Sequence, residues 1–148
     1  MIEHGEGDIL RAQVDALVNA VNTVGVMGKG LALQFKEAFP GNFLAYEDAC
    51  ARGEVVVGRM FVVERQSPRR FIINFPSKAH WRQPSKLEYI AAGLANLVST
   101  TTRLGIRSLA LPAIGCGLGG LRWTDVKPLI EAAFDQQPAV RVVLFGPR

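Results

Sequence analysis

A chain of 148 residues with 49% hydrophobic and 20% charged side chains is long enough to bury one good core and too short for two ordinary domains. Its two cysteines, Cys50 and Cys116, stand far apart with no C-x-x-C spacing, so neither a disulfide framework nor a zinc site is indicated and a reducing cytoplasm is expected. A net charge of +4 permits a polyanionic partner without demanding one, and no apolar run is long enough for a signal peptide or membrane span, so a soluble monomer without metal or cofactor is expected.

In chain order, Met1–His4 and Ala16–Val21 read as strands. A helix carrying Leu31, Phe35 and Phe39 follows and is broken at Pro40-Gly41; a second helical segment, Asn42–Arg52, is closed by Gly53. Met60–Glu64 and Phe71–Phe75 read as strands. Ser85-Lys86-Leu87-Glu88 has the S-x-x-E form of a capping box, opening a helix whose stripe is Leu87, Ile90, Ala91, Leu94 and Val98. Ser108–Ile114 is an apolar strand. A last helix shows Val126, Leu129, Ile130, Ala133 and Phe134 on one face with Thr124 as its expected cap, before a final strand at Val140–Phe145. Apolar strands alternating with amphipathic helices predict an α/β layered domain with both sheet faces covered.

Three polar or glycine-bearing segments fall at expected strand ends, where an open α/β sheet places its ligand crevice. Gly7-Asp8-Ile9 is one. Asn19-Ala20-Val21-Asn22 leads into Gly25-Val26-Met27-Gly28-Lys29-Gly30, a turn running straight into a helix, which favours phosphate but also suits an ordinary tight turn. It is neither a Walker A loop nor G-x-G-x-x-G. The third runs from Pro112 to Trp123 and holds Ile114-Gly115-Cys116-Gly117-Leu118-Gly119, whose glycines permit positive φ and close approach of a ligand to the backbone. Two such loops suit a diphosphate held from both sides. Cys116 has no basic partner nearby in sequence and reads as a packing residue rather than a nucleophile.

Arg65, Arg69, Arg70, Lys78, Arg82 and Lys86 lie in one stretch with His80 and Trp81. Cations interleaved with an aromatic suit a nucleic-acid strand, or form a solvated basic face. Trp81 is either a stacking platform or core, His80 either a base contact or a packing residue, and Tyr46 and Tyr89 carry no assignment.

Gly7-Asp8-Ile9, Asn19 to Asn22, Gly25 to Gly30 and Pro112 to Leu121, in that order, resemble the signature segments of macrodomains. The resemblance implies one macrodomain over residues 1–148, a mixed six-stranded sheet sandwiched between helices. It implies that Asp8 accepts from the adenine amino group with the Ile9 backbone nearby, and that Asn22 faces the distal ribose. The loops at Gly25, Gly28, Lys29 and Gly30 and at Ile114 to Gly119 would hold the diphosphate of ADP-ribose, with Asn19 beside them.

Gly28 to Ala32 and Asn74 to Arg82 are similar to the DarG antitoxin branch of that family, which also contains the human terminal ADP-ribose protein glycohydrolase. By that resemblance Lys78 is catalytic, His80, Trp81 and Arg82 contact DNA or the target base, and the substrate is single-stranded DNA ADP-ribosylated on thymidine by a DarT-type toxin. The human branch carries an aspartate where this chain has Gly119, which shifts the chemistry onto Lys78. Such a lysine acts either as an amine attacking the anomeric carbon or as an ammonium stabilising the leaving base. The other activities open to this reading are ADP-ribose binding without turnover and hydrolysis of protein-linked esters. An end at Gly146-Pro147-Arg148, just after the last strand, fits a domain excised from a longer antitoxin with a C-terminal toxin-binding region.

Overall fold

The structure is a computed structural model and describes residues 1–147; Arg148, the last residue of the expected chain end, lies outside the described residues. Six strands alternate with four helices: β1 (Ile2–His4), β2 (Ala16–Val21), α1 (Gly30–Ala38), α2 (Pro40–Ala51), β3 (Phe61–Arg65), β4 (Arg70–Pro76), α3 (Leu87–Leu104), β5 (Ser108–Pro112), α4 (Trp123–Asp135) and β6 (Arg141–Phe145). A single 3-10 turn, Ile9–Arg11, lies between β1 and β2. The strands form one sheet in the order β1-β6-β5-β2-β4-β3, with every neighbouring pair parallel except β3 against β4. The mixed six-stranded sheet expected from the sequence is present.

Alternation along the strands divides the core between the two faces. Ala16, Val18, Ile73, Phe75, Leu109, Leu111, Val142 and Leu144 face α3 and α4, whose Ile90, Leu94, Leu97, Val126, Ile130 and Phe134 complete the larger cluster. Leu17, Ile72 and Ala110 face the other way, toward Ile9, Val14 and Phe35 of α1. Helix α3 lies so close to β4 that a Cβ on Gly93 would come within 2.3 Å of the Phe75 ring.

Two expected helix caps are not used. Helix α3 starts after Lys86 with no side-chain cap, because the Ser85 hydroxyl donates instead to the Ser77 carbonyl; α4 starts after Arg122, so Thr124 lies inside its first turn. A side chain that can reach a loop carbonyl has a tertiary alternative to its local motif. Among the described residues no helix is long and apolar enough to cross a membrane.

Candidate active site

Because β2, β4 and β5 are parallel neighbours, their carboxyl ends lie together. The chain leaves β2 for α1 on one face of the sheet and leaves β5 for α4 on the other, which opens a crevice between the adjacent strand ends. The loops over 22–29, 77–86 and 113–122 surround it. Each leads into a helix (α1, α3, α4) whose N-terminus has no side-chain cap. First-turn N–H groups lack intrahelical acceptors and carry the positive end of the helix dipole. Three uncapped N-termini at one end of the sheet make an environment for a polyanion.

Asp8 is exposed and its Oδ1 accepts from the Leu10 N–H at 3.0 Å. Ile9 is 2% exposed and packs in the core beside Val14 and Phe35. A depression of about 670 Å³ beside them is lined by Gly7, Asp8, Leu10, Gln34, Glu37 and Ala38.

The two asparagines of the β2 end serve the loop around them. Asn19 is fully buried; its amide donates to Asn74 Oδ1 at 3.4 Å and toward Met27 Sδ at 3.8 Å, while its own oxygen has no partner among the described residues. Asn74 also exchanges two hydrogen bonds with Asn42 of α2, at 2.9 and 3.2 Å. Asn22 is 4% exposed. Its amide donates to Val26 O at 2.8 Å, and its Oδ1 accepts from Val24 N at 3.1 Å, Val26 N at 3.3 Å and the Tyr46 hydroxyl at 2.8 Å. The carboxamide therefore holds the Gly25 turn together. Burial pushes the Tyr46 phenol far above its ordinary range, so it remains a donor to Asn22 at any physiological pH. Gly25 has φ +86° and packs against Cys50 and Glu47 of α2, while Gly28, Lys29 and Gly30 are exposed at the crevice.

The loop after β5 is steered by steric exclusion. Ile114 is core, whereas Gly117 and Leu118 are exposed. Gly115 has φ +76°, and a Cβ there would press on Leu121, Ile90 and Ser85. A Cβ on Gly119 would sit 2.5 Å from the Gly115 carbonyl oxygen. This backbone has no room for an aspartate at that position. Cys116 packs beside the main cluster, and burial raises its thiol above the ordinary cysteine value, the opposite of an activated nucleophile.

Lys78 lies one residue beyond Ser77, on the segment leaving β4. It is half-buried, its Nζ donates to the Trp81 carbonyl at 3.2 Å, and burial lowers its pKa below the ordinary lysine value. His80 Nδ1 accepts from the Arg82 N–H at 3.1 Å, His80 stacks on Trp81 at 5.3 Å, and the Arg82 guanidinium lies 4.6 Å from the Trp81 ring centre. Trp81 is 44% exposed and is no part of the core.

The basic stretch is split in two. Arg65 and Arg70 are cross-strand partners at the amino end of β4, and Arg69 lies in the turn between them, paired with Glu64. Lys78, Arg82 and Lys86 follow the carboxyl end, the seven-residue length of β4 away, roughly 20 Å at the usual rise. The hairpin arginines do not belong to the crevice.

The Macro domain family model matches residues 18–130. The chain belongs to the macrodomain family. This macrodomain is 54% identical to a DNA ADP-ribosyl glycohydrolase of Mycobacterium tuberculosis over 99% of its own length and 42% of that protein's. It thus spans about two fifths of the length of the curated relatives it matches first. It superposes on the macrodomain of Mycobacterium tuberculosis DarG with a TM-score of 0.98, at 54% identity and covering 100% of this chain and 99% of that one. Against Thermosipho africanus DarTG in complex with ADP-ribose the TM-score is 0.93 at 36% identity, over 99% of this chain and 41% of that one.

The sequence reading missed four residues that shape the macrodomain site: Thr23, Asn42, Tyr46 and Ser85. Ser85 carried a signal that pointed to the wrong partner, and Thr23 adjoins a recognised motif. Asn42 and Tyr46 sit on a helix with no motif, and nothing local marks them.

Proposed function

We propose that this macrodomain is a DNA ADP-ribosyl glycohydrolase that removes ADP-ribose from thymidine in single-stranded DNA and so counteracts a DarT-type toxin. The observation that carries the reading is Lys78, half-buried with a lowered pKa on the segment between two glycine loops. In this site ADP-ribose lies with its adenine near Asp8 and the Ile9 backbone. Its diphosphate lies against the loops at Gly28 to Gly30 and Gly115 to Gly119, where uncapped helix N-termini favour its charge. The distal ribose then comes toward Lys78. The ADP-ribose complex of Thermosipho africanus DarTG, on the same fold, supports that ligand.

As a free amine, Lys78 attacks the anomeric carbon; the carbon–nitrogen bond to the base breaks and the base leaves with a proton taken from solvent. The protonated glycosylamine returns a proton to solvent and opens to a Schiff base, which water hydrolyses to ADP-ribose and the original lysine. Burial favours this role because it raises the amine fraction at a given pH. The lack of room for an aspartate at Gly119 leaves the lysine without the second acidic group of the human branch.

The test is incubation with ADP-ribosylated single-stranded DNA, with an ester-linked ADP-ribosyl protein in parallel and released ADP-ribose as the readout. Release from DNA that Lys78→Ala abolishes, while ADP-ribose affinity stays within a few-fold, is expected. Binding without release would make the domain a reader, and equal or faster release from the ester would move the substrate to protein. Borohydride trapping of a covalent adduct during turnover is expected for amine attack; failure to trap one would assign Lys78 the ammonium role.

A further inference from the structure

A lysine that must meet an anomeric carbon needs a fixed backbone, and the two carbonyls flanking Lys78 are both held. The Ser77 carbonyl accepts from the Ser85 hydroxyl, and the Ala79 carbonyl accepts from the Thr23 hydroxyl at 2.6 Å and from the Thr23 N–H at 3.4 Å. Thr23 comes from the loop after β2, and Ser85 from the far end of the loop that carries Lys78. Thr23 directly follows Asn22, whose carboxamide builds the Gly25 turn. Ser85 is 5% exposed, its N–H donates to the Gly119 carbonyl at 2.9 Å, and its oxygen lies 3.2 Å from where a Cβ on Gly115 would stand. The Ser77 N–H in turn donates to Val21 O at 2.9 Å, carrying the β2–β4 ladder one step past the strand end.

We propose that Thr23 and Ser85 are positioning residues for Lys78: the Thr23 hydroxyl ties the Ala79 carbonyl to the first glycine loop, while the Ser85 hydroxyl closes the 77–86 loop on the Ser77 carbonyl and the Ser85 N–H ties that loop to Gly119 of the second, so the loops that grip the diphosphate also place the lysine. This deepens the reading of Lys78 as the reacting group and rests on it. The pair acts on the reaction only through the lysine. Its effect is geometric, and misplacing a reacting group by about 1 Å can cost on the order of a hundredfold in rate. Hydroxyl-to-carbonyl bonds suit the task because they fix the backbone without adding charge beside the amine.

The test compares Thr23→Val and Thr23→Ser, and Ser85→Ala and Ser85→Thr, in kcat, KM and ADP-ribose affinity, with Lys78→Ala as reference. Thr23→Val and Ser85→Ala are expected to lower kcat about tenfold or more while ADP-ribose affinity stays within about threefold. Thr23→Ser, which keeps the hydroxyl, is expected to restore kcat. In both hydroxyl-less variants the pH at half-maximal kcat is expected to move, because a released lysine changes its burial; a loss of folded protein alone would not move it. If Ser85→Ala fails to fold, the Thr23 pair decides, since Thr23 lies at the site surface. Wild-type kcat in Thr23→Val, or an equal loss in Thr23→Ser, overturns the proposal while Lys78→Ala remains inactive. Full turnover by Lys78→Ala would instead overturn the reading on which it rests.

Discussion

Individual side chains in this crevice divide into those that face a ligand and those that hold the backbone facing it. On the proposed reading Asp8 is of the first kind; it is exposed, and its carboxylate accepts from the Leu10 N–H. Asp8→Ala is expected to weaken ADP-ribose binding by about 1.5–3 kcal/mol, the range for hydrogen bonds to a charged group. Calorimetric titration showing unchanged affinity would remove Asp8 from the adenine site. Asn22 is of the second kind, with its oxygen and amide committed to Val24, Val26 and Tyr46. Lys78 is where the two kinds meet, and its lowered pKa sets the sign of a pH effect. In amine attack the reactive form is deprotonated, so kcat is expected to rise with pH, with a midpoint below the ordinary lysine range. A kcat that falls over the same interval would show that the protonated form does the work.

Among the elements, α1, α3 and α4 do most to define the site, since each starts beside the crevice with no side-chain hydrogen bond at its N-cap. A Ser, Asp or Asn at the N-cap would stabilise such a helix by about 1 kcal/mol; α2, away from the crevice, also goes without one and starts instead with Pro40. At the crevice those N–H groups remain available to an anion. Helix α3 also carries the tightest contact with the sheet, at Gly93 over the Phe75 ring. Gly93→Ala cannot be accommodated without moving a buried aromatic, and is expected to destabilise the fold by about 1–3 kcal/mol, the usual cost of overpacking. Urea unfolding measures this. An unchanged midpoint would mean that α3 can slide on β4. Because α3 follows the Lys78 segment, a variant that folds is also expected to lose kcat before it loses ADP-ribose affinity.

At the scale of the whole molecule, the sheet separates two sets of cations that are neighbours in sequence. Arg82 and Lys86 lie on the crevice side, and Arg65, Arg69 and Arg70 at the opposite end of β4. A DNA strand that delivered its adduct to Lys78 would meet the first set nearest the scissile bond. Turnover of an ADP-ribosylated oligonucleotide is expected to exceed that of the same adduct on a mononucleotide, and the advantage to shrink with salt at a log–log slope of about 0.7 per phosphate engaged. Arg82→Ala is expected to reduce that advantage, and Arg65→Ala to leave it unchanged. The opposite ranking would place the strand path on the hairpin, and indifference to salt and to both substitutions would make the basic stretch a solvated face.

Much of this was legible in the sequence, because strands and amphipathic helices declare themselves through local periodicity. The expected strand Ala16–Val21 has the bounds observed for β2, and Phe71–Phe75 lies within β4, since runs of β-branched and aromatic residues between turn signals have few alternatives. The glycine loops were legible for the same reason: a backbone that turns tightly or approaches a ligand closely needs residues without a Cβ. Only the tertiary structure decided which partner each polar side chain takes. Ser85 satisfies the rule for a helix cap yet bonds Ser77, Asn22 bonds a tyrosine 24 residues away as well as its own turn, and six cations in one stretch serve opposite ends of a sheet. The physical reason is common to all three. Periodicity is set by neighbours a few residues away, whereas a hydrogen bond or a charge answers to whatever the fold brings within about 3 Å or within a Debye length.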